Sequence, residues 1–318
     1  MKRYISSGIF LSMHFDPMVR SPLTNSSNVA LEREIDCETI IKIYKGVYKI
    51  DVARFFKGLT KVQLFRCLDT GYRFYYPFSV GGDSEFYEAL QQLSWYYMDW
   101  KWEHEIARNL IKEGDKILEI GCGHGAFLKR ISNEYKIKCV GLELNHSAIL
   151  SGKQKGLMIL NERIENHALQ NPQTYDIVCV FQVVEHIADI KGFLEAAINA
   201  LKSGGKLIIS VPNNDSFIRY ARASVLNMPP HHMGLWNRDS LAKLQDFFPL
   251  QLLEVHFEPL QPQHYSFYIS VQLSRIFSRF IIVNKIIDRL LNPFASILLR
   301  SFSKKIIGHT VLVVYKKL

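Results

Sequence analysis

The sequence is poor in the residues that build secreted, fibrous or membrane-spanning proteins. Its five cysteines, Cys37, Cys67, Cys122, Cys139 and Cys179, are odd in number and widely scattered, which argues against a disulfide framework and for reduced thiols in a cytoplasmic setting. Eighteen glycines and eleven prolines in 318 residues leave no low-complexity tract, and no internal repeat stands out. No run approaches the roughly 18 uninterrupted apolar residues that a spanning helix requires. The stretch Tyr4 to Phe15, behind Lys2 and Arg3, is diluted by serines, Gly8 and His14, and no small-residue cleavage site follows it, so no signal peptide is expected.

What is present is apolar: 48% of the residues are hydrophobic, enough for a sizeable core in one main domain with additions. The formal charge of +9 suits RNA, anionic lipid or a phosphorylated substrate, and equally a solubilising surface. From Lys116 onward apolar strands alternate with helical patterns. The strand candidates after Lys116 are Lys138 to Leu144, Met158 to Leu160, Tyr175 to Phe181, Lys206 to Val211, Leu252 to Phe257 and Thr310 to Tyr315. Such βα alternation predicts an α/β fold, a parallel sheet with helices on both faces and ligands outside the carboxyl ends of the strands. Asn145 and Asp189 are expected to open helices, and Ser203-Gly204-Gly205 to close the second.

Three regions are expected. Residues 1–85 read as an N-terminal accessory unit with β-prone pieces at Ile40 to Tyr44, Val47 to Ile50 and Tyr72 to Tyr76. A helical run from Glu85 to Ile111 leads into the main domain, 86–261 and 306–318, and carries the aromatic cluster Trp95, Tyr96, Tyr97, Trp100 and Trp102, read as sheet packing or as a pocket cover. Residues 262–305 form a helical insertion, with Ile276, Phe280, Val283, Ile287, Leu290 and Leu291 at helical spacing.

The chemistry gathers around one motif. Lys116-Ile117-Leu118-Glu119-Ile120 is an apolar strand that runs through Gly121-Cys122-Gly123-His124-Gly125 into a helix. Glycines allow tight backbone turns and close ligand approach, and a helix start offers unpaired N–H groups. The spacing departs from the dinucleotide fingerprint Gly-x-Gly-x-x-Gly. Some twenty residues on, Glu143 ends the second strand, where an acid can accept both hydroxyls of a ribose; its alternative role is to sit at the N-terminus of the next helix. Asn161-Glu162-Arg163-Ile164 follows the third strand and Phe181-Gln182-Val183-Val184-Glu185-His186 the fourth.

This ensemble resembles the class I S-adenosylmethionine-dependent methyltransferases over roughly Glu113 to Leu260 and the final strand, continuing through Leu201 to Leu207 and Val211-Pro212-Asn213. The resemblance implies a Rossmann-like seven-stranded sheet and S-adenosylmethionine as cofactor. By carry-over, Gly121, Cys122, Gly123 and Gly125 pass under the methionine part and ribose and Glu119 holds the ammonium side. Glu143 with Leu144 takes the ribose, Arg163 and Ile164 flank adenine, and Phe181 and Gln182 line the mouth.

Methyl transfer requires acceptor, methyl and sulfonium in line, and an oxygen or carbon acceptor must also lose a proton. Three histidines are candidates for that role: His186, and His231 and His232 in Pro229-Pro230-His231-His232. The latter segment resembles one found in bacterial methyltransferases of glycan and natural-product pathways; the bland alternative is that its histidines buttress a loop. Glu185-His186 is similar to the Glu-x-x-Glu-His metal motif of methyltransferases of ubiquinone biosynthesis and small-RNA 3′-end methylation. Here Gln182 replaces the first acid, which weakens a hard-cation site; a histidine of the later pair could compensate, but no metal is expected. Cys37 and Cys67 lack Cys-x-x-Cys partners and make no zinc module.

The expected function is methylation of a small molecule: a sugar, a glycolipid or a related metabolite. A quinone or lipid acceptor is the near alternative. RNA methylation is the alternative raised by the basic run Lys42, Lys45, Lys49, Arg54, Lys57, Lys61 and Arg66, which reads more simply as a solvated face. Residues 275–305 suggest a lid, a homodimer contact or a peripheral membrane contact.

Overall fold

A computed structural model describes residues 19–93, 98–221, 224–276 and 299–318. Two sheets organise the chain. The smaller is antiparallel and four-stranded, β1 (Val29–Asp36), β2 (Lys61–Cys67), β3 (Arg73–Tyr76) and the short β9 (Gly234–Leu235), in that order. The larger has seven strands: β4 (Lys116–Ile120), β5 (Lys138–Leu142), β6 (Ile159–Leu160), β7 (Tyr175–Phe181), β8 (Leu201–Pro212), β10 (Leu250–Pro259) and β11 (Ile307–Lys317). Their order is β10-β11-β8-β7-β4-β5-β6, parallel from β8 to β6, with β11 antiparallel to both of its neighbours.

The parallel strands read as continuous apolar runs because both faces are covered. Leu118, Val178, Val180, Leu207 and Ile209 pack to one side with Phe193, Leu194, Ala197 and Ile198, the buried residues of α7 (Ile190–Ala200). Ile117, Cys179, Ile208 and Leu312 pack to the other side against Phe127 and Ile131 of α4 (Ala126–Glu134) and Ala107 of α3 (Trp102–Arg108). Each fully buried Leu or Phe contributes about 1.5–3 kcal/mol by leaving water. Asn145 caps α5 (His146–Gln154) by accepting from Ala148 N–H at 2.8 Å, and Asp189 caps α7 through Gly192 N–H at 3.3 Å. Helix α7 ends at Ala200, three residues before the Ser203-Gly204-Gly205 stop.

The N-terminal region differs from its expected form. Ile40 to Tyr44 is mostly α1 (Cys37–Ile43), and Val47 to Ile50 lies in and just after a wide helical turn over Tyr44–Tyr48. Asp36 accepts from Thr39 N–H at 3.1 Å and opens that helix, and Cys37, Ile40 and Tyr44 fall on its buried side at helical spacing. The β-branched residues there signal a strand, but the cap and the spacing prevail. In the run Glu85 to Ile111 the described residues form two helices, α2 (Ser84–Gln91) and α3; Trp95, Tyr96 and Tyr97 lie outside the described residues. The boundary at residue 85 divides the sequence and not the packing, because Val29, Phe65 and Phe74 share a core with the large sheet and β9 returns from beyond β8 to pair with β3. Cys37 and Cys67 are buried in different clusters. In the insertion, α9 (Tyr265–Ile276) packs through Tyr265 and Val271 against Phe217 and Ile218. Phe280, Val283, Ile287, Leu290, Leu291 and Pro293 lie outside the described residues, and among the described ones no helix is long and apolar enough to cross a membrane.

Candidate active site

At the end of β4 the chain turns through Gly121, Gly123 and Gly125, with φ of 72°, 54° and 74°, a left-handed conformation that side chains resist. A Cβ on Gly121 would lie 2.4 Å from Val183 Cγ2, and one on Gly125 2.4 Å from Leu157 Cδ1. Gly121 and Cys122 N–H both donate to Leu142 O, at 2.8 and 3.1 Å, which ties the turn to the end of β5. The neighbouring Glu143 carboxylate accepts from Gly123 N–H through Oε2, and from Leu144 and Asn145 N–H through Oε1, each at 2.8 Å. Three amides thus place this acid at the helix start and beside the turn.

Glu119 lies under the turn, 4% exposed, and its Oε2 has no hydrogen-bond partner among the described residues. Burial lifts its pKa to about 8, with Lys101 pulling down and Glu143 pushing up. A buried, unsatisfied carboxylate is costly, and a cationic ligand group relieves that cost. The cofactor that the motif implies carries an ammonium and a sulfonium and no pyrophosphate, so the acid, the cramped turn and Glu143 fit it.

A cavity of about 1590 Å³ opens beside these elements. Gly121, Glu143, Leu144, Arg163, Ile164, Phe181 and Gln182 line it, and so do His186, His231 and His232. Glu119, Cys122, Gly123 and Gly125 are not among its lining residues, and the Cys122 side chain lies in the core beside Phe127 and Leu128. Gln182 itself holds φ of 55°, N–H bonded to Ser210 O at 2.9 Å; strained backbone of this kind at a cavity mouth is a functional marker.

The three histidines meet. Their ring centroids are 4.7 Å (His186–His231), 5.0 Å (His186–His232) and 4.5 Å (His231–His232) apart. Met233 N–H donates to Glu185 O at 2.7 Å and holds the Pro229 to His232 loop onto the turn after β7. Burial lowers all three pKa values, His186 to about 4 and the other two well below the ordinary value, with His186 also disfavouring charge on His231 and His232, and His231 on His232; the carbonyls of His231 and Gln182 pull back at His186. The rings are neutral at pH 7. Glu185 is 1% exposed, and neither carboxylate oxygen has a hydrogen-bond partner among the described residues; burial raises its pKa to about 8.

Several cavity residues were not legible in the sequence. Lys101, Glu103, Glu258, His264 and His309 all line the cavity, brought there from α3, β10, the approach to α9 and β11. Glu103 accepts from Gln182 Nε2 at 3.5 Å, and Glu258 accepts from Thr310 N–H at 3.0 Å, with burial raising its pKa to about 7. A lone Glu at a helix start or a strand end carries no sequence signal; only the nearby Trp100 and Trp102 pointed to this wall, and both line the cavity. Trp100 also stacks on Phe127 at 6.1 Å, so the two readings of the aromatic cluster hold together there.

Residues 94–280 match the family model described as a methyltransferase domain. The chain belongs to this methyltransferase family. A ubiquinone biosynthesis O-methyltransferase of Vibrio atlanticus (strain LGP32) is 30% identical over 165 residues, 46% of this chain and 69% of that protein. One from Yersinia pestis (strain Pestoides F) is 29% identical over 107 residues, and the match spans 32% of this chain and only 44% of that protein. Among solved structures, a SAM-dependent methyltransferase from Archaeoglobus fulgidus covers 67% of this chain and 94% of its own, with 18% identity and a TM-score of 0.47. The methyltransferase uses S-adenosylmethionine, and the seven-stranded sheet is the fold that its motifs imply.

Proposed function

We propose that this methyltransferase transfers the S-adenosylmethionine methyl group to a hydroxyl of a small polyhydroxylated acceptor, a sugar, a glycolipid or a related metabolite. The observation that carries this reading is the rest of the cavity lining. There Glu103, Glu185 and Glu258 stand among Gln261, Gln263 and the aromatic faces of Tyr87, Trp100 and Trp102, a mixture of hydroxyl acceptors and ring platforms. Cavity carboxylates outnumber the cations Lys101 and Arg163, which favours neutral or cationic acceptors over phosphates. In the basic run near the N-terminus, Lys42, Arg54, Lys61 and Arg66 are paired with Glu38, Asp83, Glu34 and Glu32, leaving little of a cationic stripe for RNA.

In this reading Gly121 to Gly125, Glu119, Glu143, Leu144, Arg163 and Ile164 hold the cofactor, and Phe181 and Gln182 bound the passage to the acceptor. The acceptor oxygen forms its bond to the methyl carbon as the carbon–sulfur bond breaks, leaving S-adenosylhomocysteine. The hydroxyl proton leaves on the side of the cavity lined by His186, His231 and His232. The 30% identity to a ubiquinone O-methyltransferase favours a phenolic hydroxyl as the second reading. Labelled S-adenosylmethionine incubated with host extracts, then separated into glycan, lipid, quinone, RNA and protein fractions, tests both. Label in a glycan or glycolipid fraction is expected; label in the quinone fraction alone selects the second reading, and label in RNA or protein alone refutes both.

A further inference from the structure

We propose that His186, His231 and His232 form a three-imidazole site for a divalent transition metal at the acceptor end of the cavity. The proposal deepens the methyl-transfer reading and rests on it only for the ion's role. One ring nitrogen from each histidine lies within 4.8 Å of the other two. The protons of these rings are placed by oxygen acceptors. His186 Nδ1–H donates to His231 O at 2.6 Å, and His231 Nδ1–H to Leu226 O at 2.9 Å; a carbonyl can only accept. His232 Nδ1 meets Asn227 Oδ1 at 3.0 Å, and that amide is oriented by a relay: Asn227 Nδ2 donates to Asn214 Oδ1 at 2.8 Å, and Asn214 Nδ2 to Pro212 O at 3.2 Å. The backbone carbonyl at the end of the relay therefore decides the tautomer of His232.

All three rings thus carry Nδ1–H and hold their lone pairs on Nε2. This is how proteins orient metal-ligating histidines, with the distal ring N–H given to a carbonyl or carboxylate. Three ring nitrogens this close to one another offer a cation three neutral donors. Imidazole donors select Zn²⁺, Co²⁺, Fe²⁺ or Ni²⁺ over Mg²⁺ or Ca²⁺, and three of them leave a fourth position for an acceptor oxygen. Tetrahedral coordination at about 2.0–2.1 Å from each nitrogen needs nitrogens roughly 3.3 Å apart, so the rings close inward by about an ångström. When bound, the ion would lower the pKa of an acceptor hydroxyl.

The set differs from a Glu-x-x-Glu-His arrangement: Gln182 offers no carboxylate, and Glu185 is outside the histidine trio. Untagged chain stripped with a chelator and titrated with Co²⁺ and Zn²⁺ tests the site. About one equivalent is expected per chain, with the visible absorption of low-coordinate nitrogen-ligated Co²⁺. His232→Ala is expected to abolish that absorption. Asn227→Leu, which removes the relay acceptor and no ligand, is expected to weaken Co²⁺ binding about 10- to 100-fold while the S-adenosylmethionine affinity stays within about twofold. No uptake of Co²⁺ or Zn²⁺ by chain that still binds S-adenosylmethionine overturns the proposal, as does uptake unchanged in both variants. Loss of S-adenosylmethionine binding by the unmodified chain would instead refute the methyltransferase reading.

Discussion

The two ends of the cavity are built on opposite plans. On the proposed reading the cofactor end is mostly backbone: a glycine turn with left-handed φ, amides that converge on Glu143, and one buried acid, all within the 27 consecutive residues from Glu119 to Asn145, joined by Arg163 and Ile164 from the same cavity lining. On the same reading the acceptor end is made of side chains from α3, the turn after β7, the Pro229 to His232 loop and the β10 and β11 ends. A backbone site tolerates exchange of most side chains and fails when a glycine gains a Cβ. A side-chain site keeps its shape when one member is cut and loses its chemistry.

The contrast is broken most severely at Gly121. Gly121→Val places a branched Cβ against Val183 at a left-handed φ, and we expect S-adenosylmethionine binding to become undetectable by calorimetry; affinity within tenfold of wild type would show that the turn has slack. At the other end, His232→Ala is expected to lower kcat about 10²- to 10⁴-fold, on the scale of lost proton-transfer assistance, with cofactor affinity unchanged. An equal loss in both quantities would erase the distinction between the ends. Glu143→Ala removes one charged acceptor, and about 1.5–3 kcal/mol for a charged hydrogen bond corresponds to a rise in cofactor Kd of about 10- to 150-fold; fluorescence titration reads it.

A smaller effect concerns protons. Glu119 has a folded pKa of about 8 against an ordinary value near 4.5, so without ligand it keeps its proton through neutrality, and its contribution to stability declines as pH rises from about 4.5 to about 8. The cofactor ammonium favours the ionised form. Binding near pH 7 should therefore release up to about one proton and tighten as pH rises toward 8. Calorimetry in buffers of different ionisation enthalpy measures this, and Glu119→Gln should remove it; a wild-type heat independent of buffer would show that Glu119 is already ionised.

Legibility followed the same division. The larger sheet was readable because strands such as Lys116–Ile120 and Tyr175–Phe181 are largely apolar runs and helix caps lie beside the helices they open, as Asn145 and Asp189 do. The Tyr175 to Phe181 strand agrees at both ends. The smaller sheet was missed at β1 and β2, where charged residues alternate outward along Val29–Asp36 and Lys61–Cys67 and mask half-buried strands. The break between α2 and α3 was also missed, since aromatic residues at helical spacing look the same whether they pack on a sheet or line a cavity.

By itself the sequence determined the cofactor: the glycine turn, Glu119 and Glu143 are local and their spacing is their geometry. It also named the three histidines. Only the tertiary structure decided that those histidines share one point, because His186 and the His231–His232 pair are 45 residues apart and meet only when the loop after β8 folds back to bond Glu185. The same holds for Glu103 and Glu258, which become a wall only because α3 and the end of β10 pack around one cavity. Coordination and acid–base chemistry depend on distances of a few ångströms, and a linear pattern carries such distances only between near neighbours in the chain.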